Sequence, residues 1–146
     1  MFYEVVKSLH SYWAYLVFIV LIITVVNAII KVTGKKEYEA KDFRLALFTL
    51  ILTHTQLLIG MILYVVSPRL ELWGQLGGEV MKNPIARLYL VEHPFVNILA
   101  IAAITIGYSK HKKKLTSQAK LKPIAIFYSI GLVLLLSRIP WDAWIG

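Results

Sequence analysis

Residues 13–30 read WAYLVFIVLIITVVNAII, and no charge interrupts them. As a helix this run would rise ~27 Å at ~1.5 Å per residue. That is close to the ~30 Å hydrocarbon core of a bilayer. Working outward, the chain holds three more apolar blocks, at 45–66, 88–108 and 123–139. None alternates with the period of a membrane-spanning strand. In lipid, only helices and closed barrels satisfy their own backbone polar groups. The expected fold is therefore an all-α integral membrane protein, a four-helix up-down transmembrane bundle. It is read as a single membrane domain over residues 1–146, with helices about 3–31, 43–66, 84–109 and 122–139.

Composition agrees: 58% of the residues are hydrophobic and only 16% are charged, against ~25% charged in soluble domains. The net charge of +8 is unevenly placed. Lys31, Lys35, Lys36, Lys41 and Arg44 gather between the first two blocks, and Lys110, Lys112, Lys113, Lys114, Lys120 and Lys122 between the last two. The middle connection has Arg69, Lys82 and Arg87, opposed by Glu71 and Glu79. By the positive-inside rule the first and third connections are cytoplasmic, and both termini lie on the outer, periplasmic side. Such basic loops suit anionic lipid rather than nucleic acid. The first block is too long for the core of a cleavable signal peptide, and no small-residue cleavage site follows it. There is no cysteine, which excludes disulfides, iron–sulfur clusters, thiolate haem ligation and thiol nucleophiles.

Local signals punctuate the blocks. Val32-Thr33-Gly34 ends the first helix, and Ser67-Pro68 stops the second, because proline disfavours helix in the residue before it. Asn83-Pro84 opens the third, with asparagine as cap and proline in the first turn. Between them, Leu70, Leu72 and Trp73 suggest an interfacial segment. Ile139-Pro140 closes the fourth helix, and Trp141 and Trp144 fit an aromatic belt.

Chemistry rests on histidine. An ionisable side chain at membrane depth is a functional-site hypothesis by default, and His10, His54 and His93 each belong to a different block. Helical spacing puts His10 on a stripe with Ala14, Val17, Leu21, Thr24 and Ala28, and His93 on one with Ala86, Leu90, Asn97, Ala100, Ile104 and Gly107. Small residues mark the packing side of a membrane helix, so both histidines are expected to face inward at similar depth. Two imidazoles converging in this way could hold the iron of a b-type haem, a ligation suited to electron transfer. Arg138, expected inward on the stripe of Ile124, Tyr128, Gly131 and Leu135, would join Arg87 as a cation for the haem propionates.

The second block is less tidy. Thr49, Thr53, Gln56, Gly60 and Tyr64 form one stripe, and His54 lies on another face. A helix packing on two sides points to a homo-oligomer or a larger membrane complex. The polar stripe is either helix–helix glue or a quinone site.

A plain reading stands beside these. His10 would be an interfacial residue. His93 would donate to a carbonyl, such as one freed by Pro94, and His54 to a carbonyl one turn back, such as that of Leu50. Arg138 would pair with Glu92, and His111, set among lysines, would be a solvated loop residue. A zinc site would need three or four close ligands, for which His10, His93 and Glu92 are the candidates.

Several segments carry a resemblance. They are Leu9-His10-Ser11, the run from Asp42-Phe43-Arg44 to His54-Thr55-Gln56 and Gly60, Tyr64-Val65-Val66-Ser67-Pro68, Met81-Lys82-Asn83, Glu92-His93-Pro94, Ile104-Thr105-Ile106-Gly107 and Ile139-Pro140-Trp141. Together they resemble a family of small four-helix inner-membrane proteins of Bacteroidota labelled "cytochrome B". The resemblance implies a multi-pass protein of the bacterial inner membrane carrying haem b, with His10, His54 and His93 as candidate iron ligands. Two functions follow as expectations. One is a haem protein passing electrons within or beside a respiratory complex. The other is a cofactor-free accessory or scaffold subunit of a larger membrane assembly.

Overall fold

The computed structural model describes residues 1–144. Four helices in it are long and apolar enough to cross a membrane: Phe2–Thr33, Ala40–Val66, Pro84–Lys113 and Ser117–Ser137. They are called the first to fourth helix below. Among the described residues there is no strand. The first helix packs on the second and fourth, and the third packs on the same two, so the first and third stand diagonally opposed.

The helix ends follow local chemistry, and several differ from the expected ones. The second helix starts at Ala40 rather than 43, because Glu39 and Asp42 form a reciprocal capping box. The third runs on to Lys113 rather than 109. Its last turn is basic, which suits the negative end of the helix dipole. The fourth begins at Ser117 rather than 122, where the Thr116 hydroxyl accepts from the Ala119 amide. It ends at Ser137, short of 139. Asn83 caps the third helix as expected, its side chain accepting from the Ile85 and Ala86 amides.

Two prolines interrupt the regular ladder. Stretches of π-helix at Leu88–Glu92 and Ile124–Tyr128 lie beside Pro94 and Pro123. A proline has no N–H to give the carbonyl four residues back. For Pro94 that carbonyl belongs to Leu90, and the Tyr64 hydroxyl donates to it at 3.0 Å. The same logic operates at Pro140, where the Trp141 indole N–H donates to the Leu136 carbonyl at 3.2 Å.

The core centres on Leu21, Ile104, Ile124 and Tyr128, all essentially without solvent exposure. The stripes through Val17, Leu21, Thr24 and Ala28 and through Ala86, Leu90, Ala100, Ile104 and Gly107 are buried, as their spacing predicts. Polar groups in this core are paired. The Tyr128 hydroxyl donates to the Ala46 carbonyl at 2.8 Å, and the hydroxyls of Thr24 and Thr49 lie 2.9 Å apart. Two glycines let the third and fourth helices close up. A β-carbon on Gly107 would stand 2.6 Å from the Phe127 β-carbon, and one on Gly131 would stand 2.7 Å from Ile104. Large apolar side chains such as Ile19, Val26, Ile51, Leu58 and Val133 are exposed around the outside. That is the surface a lipid-facing protein presents.

The lysine-rich end is stitched by a buried clamp. Lys31 Nζ reaches Asp42 at 2.7 Å and Glu39 at 2.8 Å, and the Asn27 amide donates to the other Asp42 oxygen at 2.6 Å. His111 is the clearest correction at this end. It is not a solvated loop residue but fully buried. Its Nδ1–H donates to the Tyr108 carbonyl at 2.7 Å, and Nε2 receives the Tyr38 hydroxyl at 2.9 Å. Extending the third helix by a turn is what carries His111 under the connection that holds Tyr38.

The segment after Pro68 is ordered as short turns of helix over Pro68–Glu71, Leu72–Leu76 and Gly77–Lys82. It rests on a small second core in which Val80, Ala86 and Leu90 are buried against Tyr64, Leu72 and Leu76.

Candidate functional site: a histidine-faced cavity

At the end opposite the lysine clamp, residues of the four helices line a partly open cavity of about 750 Å³, with exposed Met61, Val65, Phe95 and Ile98 at its border. His10 and His93 face each other across it, their ring centroids 6.2 Å apart and their planes at 80°. They come from the diagonal pair of helices, on the two stripes the sequence marks as inward.

The two imidazoles are held differently. His93 Nδ1 lies 2.9 Å from the Arg138 carbonyl oxygen. A carbonyl only accepts, so Nδ1 carries the proton and Nε2 keeps its lone pair. The Asn97 amide sits 3.3 Å from that Nε2. The acceptor on His93 is not the carbonyl freed by Pro94, which Tyr64 serves, but one at the end of the fourth helix. Helix-terminal carbonyls lack a partner of their own, and the third helix supplies one. His10 is fixed through its backbone instead: the Gln56 amide donates to the His10 carbonyl at 2.9 Å. Gly60 lies against its ring, where an added β-carbon would stand 3.4 Å from Cε1.

Among the described residues three buried side-chain atoms have no hydrogen-bond partner: His10 Nδ1, Gln56 Oε1 and Asn97 Oδ1. All three residues line this cavity. Buried polar atoms are nearly always satisfied, and these three are the polar spot of a mostly apolar lining.

The remaining sequence candidates lie elsewhere. His54 is exposed on the outer face of the second helix. Its Nδ1–H donates to the Leu50 carbonyl at 2.8 Å, and Thr105 Oγ1 lies 3.3 Å from Nε2. The threonine–glutamine stripe is the one turned inward: Thr49 bonds Thr24 of the first helix, while Thr53, Gln56, Gly60 and Tyr64 line the cavity.

Arg138 is not inward. The fourth helix ends one residue before it, its backbone leaves the helical region, and its side chain is exposed. Glu92 lies between the two expected cations, 2.9 Å from Arg87 and 3.8 Å from Arg138. Neither arginine lines the cavity. Glu92 is thereby committed, and among the described residues no group of three histidine or carboxylate side chains is placed to hold an ion.

The cations that do line the cavity are Lys7 and Arg69, and sequence reasoning passed over both. The signal available for Arg69 was its position, directly after the Ser67-Pro68 helix stop and four residues before Trp73. No family model, curated protein or solved structure matches the chain.

Proposed function

We propose that this is a b-type haem protein of the bacterial inner membrane that passes electrons within or beside a respiratory complex. On this reading its four helices form an up-down bundle with both termini periplasmic. The observation that carries it is the separation of the His10 and His93 rings. A metal–imidazole bond is ~2.0 Å and a ring centroid lies about 1.1 Å beyond the nitrogen, so two imidazoles on opposite sides of one ion have centroids about 6 Å apart. The rings here are 6.2 Å apart.

Three further features support the fit. The cavity falls within the ~300–1,000 Å³ range of cofactor sites. The His93 Nδ1–H···O=C bond is the kind of outer contact that orients a metal-binding imidazole and leaves Nε2 as the ligand atom. Gly60, with no side chain, lets the His10 ring lie against the second helix. A bound haem would supply a one-electron carrier, and His10 and His93 would be the residues that hold it. The chain's own part is to hold His10 and His93 at fixed height, aim their rings and keep water away with apolar walls.

The test is a reduced-minus-oxidised absorbance spectrum of the purified protein. A b-type α-band is expected in the wild type and in His54→Ala, and its loss in His10→Ala and His93→Ala. Wild-type protein that shows no such band after incubation with haemin sinks the proposal.

A second reading, the cofactor-free accessory subunit, is favoured by one observation. Both ring nitrogens of His93 already have protein partners. That reading predicts copurification with a larger membrane assembly, with no haem absorbance in the chain itself.

A further inference from the structure

The cavity has a charged end that the histidine pair does not explain. Arg69 lines it, half-buried, with its guanidinium carbon 3.9 Å from the centroid of the Tyr89 ring. Stacking of this kind fixes a guanidinium flat and leaves its in-plane N–H donors free. Among the described residues no carboxylate lies within ion-pair distance of it, and none of its side-chain donors finds an acceptor. Arg87 differs on each point: it pairs with Glu92, donates to the Met81 carbonyl and stands outside the cavity. Lys7 adds a second cation to the lining, likewise without a carboxylate partner among the described residues. A fixed, unpaired fork of donors beside an apolar void is complementary to an oxyanion carried on an apolar body.

We propose that Arg69, assisted by Lys7, is the anion-binding end of the cavity and receives the carboxylates of the bound tetrapyrrole. The proposal rests on the haem reading above. It replaces Arg87 and Arg138 in that role, since Glu92 occupies both. A lipid phosphate offers the same oxyanion chemistry, so the experiment separates the two sources.

Purified wild-type, Arg69→Gln and Arg69→Lys proteins are titrated with haemin and with its dimethyl ester, which keeps the macrocycle and lacks the charges. Wild type is expected to hold haemin about tenfold more tightly than the ester, the scale of one charge-assisted hydrogen bond. Arg69→Gln should bring haemin down to the level of the ester without moving the α-band. Arg69→Lys, which keeps the charge and loses the flat fork, should fall between. Equal wild-type affinity for haemin and ester overturns this inference alone. Wild type that takes up neither overturns the haem reading and this inference together. In a second arm, haem-free protein is melted in nanodiscs of phosphatidylglycerol or of phosphatidylcholine. A stabilisation by phosphatidylglycerol that Arg69→Gln abolishes would assign Arg69 to an anionic lipid headgroup and overturn the proposal.

Discussion

The His10 ring stands nearly perpendicular to the His93 ring at 6.2 Å, yet only one of the two is anchored by its own nitrogens. His93 donates to the Arg138 carbonyl, whereas His10 Nδ1 is buried without a partner. The pair is therefore asymmetric before any ligand arrives. Replacing His93 with Phe should lower the stability of the haem-free protein by about 1 kcal/mol, because a helix-end carbonyl loses its donor. Replacing His10 with Phe should not lower it, because an unpaired polar atom is removed. Thermal unfolding of the two variants in detergent checks this, and equal losses would contradict the assignment of partners.

Glycines divide in the same way between packing and cavity. Gly107→Ala and Gly131→Ala force new atoms to within 2.6 and 2.7 Å of the neighbouring helix. Each should destabilise by roughly 1–3 kcal/mol, the usual cost of overpacking. Gly60→Ala meets only the His10 ring edge at 3.4 Å. It should fold as well as wild type, and Gly60→Leu should fold but fail to take up haemin. Unfolding curves and haemin titration of the four variants separate the two roles.

The Lys31–Asp42 clamp is a buried charge pair, with side chains 5% and 1% exposed. Removing Lys31 strands the buried Asp42 carboxylate, so Lys31→Met should cost about 3–5 kcal/mol, whereas Asp42→Leu leaves Lys31 its Glu39 partner and should cost less. The double variant should recover most of that loss, since an apolar pair avoids the desolvation penalty. Additive losses in a double-mutant cycle would show that the two charges do not depend on each other.

Tyr38 sets an alkaline limit. Burial first, and then the negative charge of Asp42, push its phenol up from 10.0 to about 12. A raised folded-state value means that its stabilisation is complete below the unfolded value and fades as pH climbs through the folded one. Tyr38→Phe should be less stable than wild type at neutral pH, because buried His111 Nε2 loses its donor. The gap should narrow between pH 10.0 and about 12. Unfolding measured across that range tests it, and a constant gap would show that the Tyr38 phenol titrates alike in the folded and unfolded chains.

Much of this arrangement is legible in the chain. Hydrophobic length marks the four helices, and the 3.6-residue period places His10 and His93 on buried stripes, because both signals are local. His111 was not legible, since its lysine neighbours suggest solvent, and only the extra helical turn carries it beneath Tyr38. Arg138 was misplaced for a related reason. Its stripe points inward only while the helix continues, and the helix stops at Ser137. Lys7 continues the His10 stripe by one turn, but that stripe is read only from His10 onward, and Arg69 lies outside the four long helices, where no stripe marks a face.

The sequence alone determined that the chain forms four apolar helices, where the second stops and the third starts, and which faces of the first and third are packed. Those properties depend on residues within a few turns of one another, and on what a polar backbone tolerates in an apolar medium. Tertiary structure decided which polar groups meet: Asn27 with Asp42, Gln56 with the His10 backbone, His93 with the end of the fourth helix, and Arg69 with Tyr89. Each of these joins positions distant in the chain. Their distances are set by how closely the helices approach and how far each is rotated, and no single segment encodes either.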